Sequence, residues 1–276
     1  MKIKINDFNL RDTLMSGACF RATLESDGSF TNILSDRVIN IRQINDELVV
    51  ESNKMNNLSD VIREYFDLNR DYNTINKKLI QVDPSLKDVI ECCRGYHILN
   101  QNQFEMCISY IISQNNNVKR ISASINKLCE LYGKEILFNN KKYYLFPTYD
   151  KIKNLSEEDF NILKVGFRNK YLVDYLSKYE EFIDLNNLNT TLAFNKLLTV
   201  KGIGPKVASC ILLFGYKRLD VFPIDTWVKQ FVSNRYNIKN NYNDIMKFTS
   251  KKFKEYTGLA IQYMYHYNRN INEEKK

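Results

Sequence analysis

The segment from Leu197 to Cys210 constrains the fold of this chain more than any other part. It reads LLTVKGIGPKVASC, so an apolar run is followed by Gly202, Gly204 and Pro205. Proline has no backbone N–H and is favoured in the first turn of a helix, where that group lacks an intrahelical acceptor. The pattern predicts a helix-hairpin-helix, two helices joined by a tight turn, at about residues 192–214.

A turn of this kind is suited to holding a phosphate group. Glycine allows the backbone to approach a ligand closely, and the N–H groups of Gly202 and Gly204 lie beside the positive end of the second helix. We therefore expect this turn to bind nucleic acid without reading its sequence. Gly215 is placed to end the second helix.

Lys206 lies in the first turn of the second helix, where the helix dipole disfavours a cation. The dipole and burial among apolar neighbours are expected to lower the lysine pKa and to populate the neutral amine, which is the nucleophilic form. The alternative is a non-catalytic hairpin in which the lysine only contacts phosphate.

Asp225 follows the hairpin in the segment FPIDTW. A carboxylate beside an electron-poor sugar carbon can stabilise an oxocarbenium-like transition state or assist proton transfer. Asp225 is also placed to be the N-cap of a helix that begins at Thr226, and the two roles are compatible.

Composition limits the classes of protein to consider. The chain has 276 residues, of which 44% are hydrophobic, so it can bury a substantial core. Its net charge of +8 suits an anionic partner, either nucleic acid or a membrane surface.

No apolar run is long enough to span a bilayer, and the N-terminus lacks a signal-peptide core, so we expect a cytoplasmic protein without membrane association. None of the six cysteines forms a Cys-x-x-Cys pair or lies beyond Cys210, which disfavours a zinc or iron–sulfur site.

The fold class predicted from periodicity is α+β. Residues 1–100 are expected to form a small antiparallel sheet domain with a connecting helix, with turns at Asp27-Gly28 and Asn45-Asp46. Residues 101–276 are expected to form the helical region that contains the hairpin. The segment Phe138 to Pro147 is predicted to be a loop or a short extended connection.

Several segments together resemble the 8-oxoguanine DNA glycosylase/lyase family of the helix-hairpin-helix base-excision superfamily. The resemblance covers nearly the whole chain. Besides the hairpin, Lys206 and Asp225, it rests on SQNNNVKR at 113–120, GFRNKY at 166–171, SGACFR at 16–21 and YFDLNRDY at 65–72.

The resemblance implies an enzyme that extrudes an oxidised guanine from duplex DNA, since chemistry on a stacked base is sterically blocked. Asn115 would fill the gap that the extruded nucleotide leaves, whereas Asn117 is explained as a helix cap. Arg120 and Arg168 would read the opposite cytosine, with a phosphate contact as the alternative for either. Phe167 would be the wedge that enters the duplex, although such an aromatic is often a core residue.

The same resemblance implies a pocket for the extruded base. The carbonyl of Gly17 would accept the N7–H that distinguishes 8-oxoguanine from guanine, Cys210 would lie against the base, and Tyr265 would form the opposite wall. Ile261 stands where the family has a pocket glutamine, and Gln262 comes one position later. Plain alternatives are a strand-entry glycine for Gly17 and a small buried thiol for Cys210.

The activity implied is a bifunctional glycosylase/lyase in which Lys206 attacks the sugar C1′ and forms a Schiff base, while Asp225 stabilises the sugar cation. This chemistry requires no metal or organic cofactor, and the expected partner of the monomeric enzyme is double-stranded DNA containing oxidised guanine. The rivals are a water-activating glycosylase for alkylated bases and a non-catalytic DNA-binding protein.

Overall fold

The N-terminal segment of the computed structural model forms a five-stranded antiparallel sheet. The structure describes residues 1–273, with side chains to residue 269. The strands are β1 (Lys2–Lys4), β2 (Thr23–Leu24), β3 (Phe30–Ile33), β4 (Val38–Ile44) and β5 (Glu47–Ser52), in the order β1-β5-β4-β3-β2. Both predicted turns are present, since Gly28 (φ 81°) and Asn45 (φ 50°) take the left-handed conformation that tight turns need.

Helices make up most of the remaining described chain. They are α1 (Leu10–Leu14), α2 (Leu58–Tyr65), α3 (Tyr72–Val82), α4 (Lys87–Cys92), α5 (Gln103–Ser113), α6 (Val118–Tyr132), α7 (Tyr149–Ile152), α8 (Asn169–Ser177), α9 (Thr190–Leu197), α10 (Pro205–Tyr216), α11 (Thr226–Tyr236), α12 (Tyr242–Phe253) and α13 (Thr257–Glu273). The predicted α+β class is confirmed. No helix of the described residues is both long enough and apolar enough to cross a membrane.

Two buried clusters organise the chain. The smaller cluster lies under the sheet and includes Ile39, Ile41 and Leu48. The larger cluster runs through the helical region, and it also contains Tyr72 and Val89 from the helices that follow the sheet. The proposed division of the chain near residue 100 stays a prediction.

The segment after α6 forms a small hairpin, β6 (Glu135–Phe138) and β7 (Lys141–Tyr144), where the sequence suggested only a loop or an extended connection. Its two-residue turn consists of Asn139 (φ 48°) and Asn140 (φ 58°). Asparagine tolerates positive φ at both turn positions, which matches the right-handed twist of the flanking strands.

Helices α9 and α10 are the two arms of the predicted helix-hairpin-helix. The expectation that Gly215 ends the second arm is wrong, because α10 continues to Tyr216 and its C-cap is Lys217 with φ 58°. Gly215 instead lies at a close approach between helices. A Cβ added there would be 3.3 Å from the Cβ of Met106 on α5.

Candidate active site

A cavity of about 70 Å³ lies where the loop before β2 meets α10, α11 and α13. It is lined by Ser16, Gly17, Ala18, Tyr110, Lys206, Cys210, Phe214, Pro223, Asp225, Gln262 and Tyr265.

Lys206 extends from the first turn of α10 into this cavity. Its Nζ lies 5.5 Å from the centre of the Tyr110 ring, and the side chain shares a hydrogen bond with Cys210. The electrostatic interaction with Cys210 raises the pKa of Lys206 against the opposing effect of burial, and the charge of Asp225 raises it further. Burial also raises the pKa of the Cys210 thiol. The expected lowering of the pKa of Lys206 is therefore wrong, and the amine must lose a proton before it can attack.

Asp225 is the N-cap of α11, as its position before Thr226 predicted. Its Oδ1 accepts a hydrogen bond of 2.9 Å from the N–H of Val228. Burial raises the pKa of Asp225, although the Val228 hydrogen bond and the charge of Lys206 oppose this shift. A buried carboxylate with a raised pKa is a better proton acceptor than an exposed aspartate.

The backbone of Gly17 lines the cavity. Its φ of 86° lies in the left-handed region, where a side chain would be strained. A Cβ added there would lie 3.4 Å from Nη1 of Arg269 and 3.6 Å from the hydroxyl of Tyr265. These are ordinary van der Waals distances, so the backbone conformation, and not a lack of space, calls for glycine.

The structure corrects the assignment of Ile261 to the pocket. Ile261 is fully buried in the helical core (0% exposed), whereas Gln262 lines the cavity together with Tyr265 on α13. Both positions lie within one helical turn of Tyr265, so sequence spacing did not decide between them. The amide of Gln262 is the polar side chain on this wall.

A larger cavity of about 600 Å³ lies at the joint between α5 and α6. Asn115, Arg120 and Arg168 line it, together with residues of α6 and of the segment before α8. Asn115 is exposed at the tip of the joint with φ 46°, and Asn117 caps α6 by accepting a 3.0 Å hydrogen bond from the N–H of Arg120. The exposed side chain of Arg120 has no hydrogen-bond or ion-pair partner within the described residues.

Phe167 lies on the same surface and is 50% exposed. Its ring meets the ring of Tyr171 edge-on, with 5.8 Å between centres. The guanidinium of Arg168 lies 4.5 Å from the centre of the Phe167 ring, and Arg168 itself is buried. An exposed phenylalanine supported by its neighbours is suited to stack into a duplex.

Two residues of α8 stabilise the hairpin turn between α9 and α10. The carboxylate of Asp174 accepts a 2.8 Å hydrogen bond from the N–H of Lys201, and the ring of Tyr171 packs directly against Gly202. Gly204 is the N-cap of α10, and its lack of a side chain leaves the first N–H groups of the helix without a side-chain cap. These N–H groups are available to an anion.

No group of three or more histidine, cysteine, aspartate or glutamate side chains in the described part of the chain is arranged to hold a metal ion. The cavity holds an amine, a carboxylate and a thiol. That combination supports nucleophilic catalysis with proton transfer.

Comparison with known proteins identifies the family. Residues 1–107 match the 8-oxoguanine DNA glycosylase N-terminal domain, and residues 108–255 match the HhH-GPD superfamily of base excision DNA repair proteins. The structure of MBOgg1 in complex with a low-affinity DNA ligand is 35% identical with a TM-score of 0.93, covering 98% of this chain and 96% of that chain. This chain belongs to the 8-oxoguanine DNA glycosylase/lyase family. The family resemblance drawn from the sequence motifs is confirmed.

Two further proteins are similar to this chain over nearly its whole length. The Clostridium acetobutylicum 8-oxoguanine glycosylase/lyase, in complex with dsDNA containing cytosine opposite to 8-oxoG, is 34% identical with a TM-score of 0.91, covering 99% of this chain and 98% of that chain. The probable N-glycosylase/DNA lyase of Methanothermobacter thermautotrophicus is 27% identical and covers 98% of this chain and 96% of its own length.

Sequence reasoning missed two residues that support the assigned ones. Tyr110 supports Lys206 from α5, and Asp174 braces the hairpin from α8. Both come from helices distant in sequence from the residues that they support, and no local motif marks them.

Proposed function

We propose that this protein is a bifunctional glycosylase and AP lyase that removes 8-oxoguanine from duplex DNA. The observation that carries the proposal is the placement of the Lys206 amine and the Asp225 carboxylate in one cavity, directly beside the N-terminus of the hairpin helix. The hairpin would hold a phosphate of the lesion strand, and the cavity would receive the base and its sugar.

The reaction begins when the Lys206 ammonium loses a proton. The neutral amine attacks C1′, the N-glycosidic bond breaks, and the base leaves with its bonding electron pair and takes up a proton. The C1′–O4′ bond then breaks, O4′ takes up a proton, and the opened sugar is held as a Schiff base between Nζ and C1′. Loss of a proton from C2′ expels the 3′ phosphate, which nicks the strand. Asp225 would stabilise the developing sugar cation and move protons between these groups.

Base recognition would depend on groups that meet at the cavity mouth. The carbonyl of Gly17 would accept the N7–H of 8-oxoguanine, and guanine would leave that acceptor unpaired. One such hydrogen bond supplies discrimination of about 1–3 kcal/mol. The amide of Gln262, rather than Ile261, would contact the Watson–Crick edge, while Cys210 and Tyr265 would flank the ring.

Recognition of the duplex would use the second cavity and its rim. Asn115 would enter the gap left by the extruded nucleotide, Phe167 would stack beside it, and Arg120 would donate to the opposite cytosine. The net charge of +8 favours association with DNA, and we propose that the protein acts as a monomer.

Borohydride trapping on duplex DNA containing 8-oxoguanine tests this proposal. Wild-type protein should form a covalent adduct, and Lys206→Gln should lose it. Lys251→Gln is the matched control, because it removes the same charge from an exposed position on α12 and should keep the adduct.

The other outcomes identify the rival activities. Release of the base without a trapped adduct would show a water-activating glycosylase. Salt-sensitive DNA binding without any product would show a protein that only anchors itself to DNA.

A further inference from the structure

We infer that Arg269 is a positioning residue for base recognition, which anchors the segment around Gly17 so that the carbonyl of Gly17 meets the N7–H of the extruded base. This role rests on the proposed function and deepens it. It extends the recognition site along α13, beyond the cavity wall that Gln262 and Tyr265 form.

The contacts of the Arg269 guanidinium carry this inference. Arg269 lies one helical turn after Tyr265 on α13, so the two side chains share a face of the helix. Its Nη1 donates a hydrogen bond of 3.2 Å to the carbonyl of Ser16, and the guanidinium also donates to the hydroxyl of Tyr265. Nη1 and this hydroxyl lie 3.4 and 3.6 Å from the position that a Cβ of Gly17 would take. Both groups therefore lie beside Gly17 on the α13 side.

The segment that contains Gly17 borders two cavities. Ser16 lines the active-site cavity and also a third cavity, of about 120 Å³. Tyr96, His266 and Arg269 line the third cavity as well. The hydroxyl of Tyr96 and Nε2 of His266 are buried without a hydrogen-bond partner in the part of the chain that the structure describes. Because atoms that face a cavity lack packing contacts on that side, the position of the segment depends more on its hydrogen bonds.

The carbonyls on both sides of Gly17 have protein donors. Arg269 donates to the carbonyl of Ser16. The side-chain amide of Gln101 donates to the carbonyl of Ala18 at 3.0 Å. None of the described residues donates to the carbonyl of Gly17 itself, so that acceptor is available to a ligand. Glycine adopts many backbone conformations at little cost, and the direction of this carbonyl therefore depends on its two anchored neighbours.

Hydrogen exchange of the free protein is the first test, because it needs no substrate. The amides of Met15 and Ala18 both donate hydrogen bonds, so their exchange reports how often the segment opens. In Arg269→Met these two amides should exchange about tenfold faster than in the wild type, the effect of losing one charge-assisted hydrogen bond. Tyr265→Phe removes only a hydroxyl and should give a smaller increase at the same amides.

The second test compares two reactions of the same active site. Excision of 8-oxoguanine requires a correctly placed base, whereas β-elimination at a preformed abasic site needs Lys206 but no base. Arg269→Met should lower the limiting rate of single-turnover excision about tenfold and leave the half-saturating DNA concentration within about twofold. The rate of β-elimination at the abasic site should not change.

A double-mutant cycle shows whether the two side chains act together. Tyr265→Phe alone should lower excision by about two- to fivefold, the effect of one hydrogen bond between uncharged groups. In the Arg269→Met background, Tyr265→Phe should add almost nothing, because both side chains act through the same segment.

Two control variants separate positioning from charge and from general damage to the fold. Arg269→Lys keeps the positive charge but cannot form the planar fork that reaches two acceptors, so it should not restore excision. Arg218→Met is the matched control. Arg218 is also partly buried and donates to a backbone carbonyl, that of Leu188, at 2.9 Å, but it lines none of the three cavities. Its removal should leave excision and the exchange of Met15 and Ala18 as in the wild type.

Unchanged exchange of Met15 and Ala18 in Arg269→Met would overturn the inference. Full excision by Arg269→Lys would do the same, because it would show that only the charge matters. An equal loss of excision and of β-elimination would show that Arg269 contacts DNA rather than positioning the base. Failure of the proposed function is seen separately, as a wild-type protein that excises no 8-oxoguanine, and hydrogen exchange still decides whether Arg269 anchors the segment.

Discussion

Replacement of Gly202 by alanine should strain the hairpin turn and so destabilise the folded protein. The φ of 81° places an alanine side chain in the left-handed region, and its Cβ would overlap the ring of Tyr171. Backbone strain of this kind costs about 1–3 kcal/mol, and overpacking costs another 1–3 kcal/mol. Gly202→Ala should therefore lower the free energy of unfolding by about 2–6 kcal/mol.

Gly204→Ala is the matched comparison on the other side of the turn. Gly204 has an ordinary φ of −93°, and an added Cβ would have no atom within 4 Å. The free energy of unfolding of the Gly204→Ala variant should stay within about 1 kcal/mol of the wild-type value. The methyl group would, however, stand where a phosphate must approach the N-terminus of α10, so affinity for undamaged duplex DNA should fall.

Thermal melting and a salt titration of DNA binding separate the two effects. For a domain of this size, each kcal/mol shifts Tm by about 2–4 °C, so Gly202→Ala should melt about 4–24 °C below the wild type. In a Tyr171→Ala background, Gly202→Ala should lower the free energy of unfolding only by the backbone strain, because the overlap with the Tyr171 ring is gone. Equal melting temperatures for Gly202→Ala and Gly204→Ala would refute this account of the turn.

Three further predictions concern the base cavity. Asp225→Asn should keep the N-cap and melt like the wild type, but it should lower the excision rate by about 10²–10⁴-fold. Asp225→Ala should lose activity and also about 1 kcal/mol of stability, because the cap is removed. Full activity of the asparagine variant would exclude a role for the carboxylate. Since the amine must be neutral to attack, and the interaction with Cys210 raises the pKa of Lys206, Cys210→Ala should move the acidic limb of the pH–rate profile to lower pH. A shift to higher pH would contradict that assignment. Gln262→Ala should reduce discrimination between 8-oxoguanine and guanine in competition assays, while Ile261→Ala should mainly destabilise the protein, by about 2–5 kcal/mol in denaturant titrations. The reverse pattern would return Ile261 to the pocket.

Local sequence rules predicted the elements that depend on local chemistry. Pro205 after two glycines placed the start of α10, and Asp225 before Thr226 placed the cap of α11. These predictions held because capping and turn formation depend on groups only a few residues apart.

The errors share a different cause. The pKa of Lys206 depends on the charges of Cys210 and Asp225, and the lining of the pocket depends on which face of α13 meets α10. Gly215 likewise looked like a helix terminator but serves a close helix contact. Each of these properties is set by tertiary packing, which the spacing of residues along one helix does not reveal.

Mass spectrometry of the reduced protein–DNA adduct tests the central claim most directly. After borohydride trapping on an 8-oxoguanine duplex and digestion of both polymers, the sugar remnant should be found on the peptide that contains Lys206. A remnant on another amine, such as Lys201 or the N-terminus of Met1, would contradict the proposed nucleophile, as would complete base release with no modified peptide.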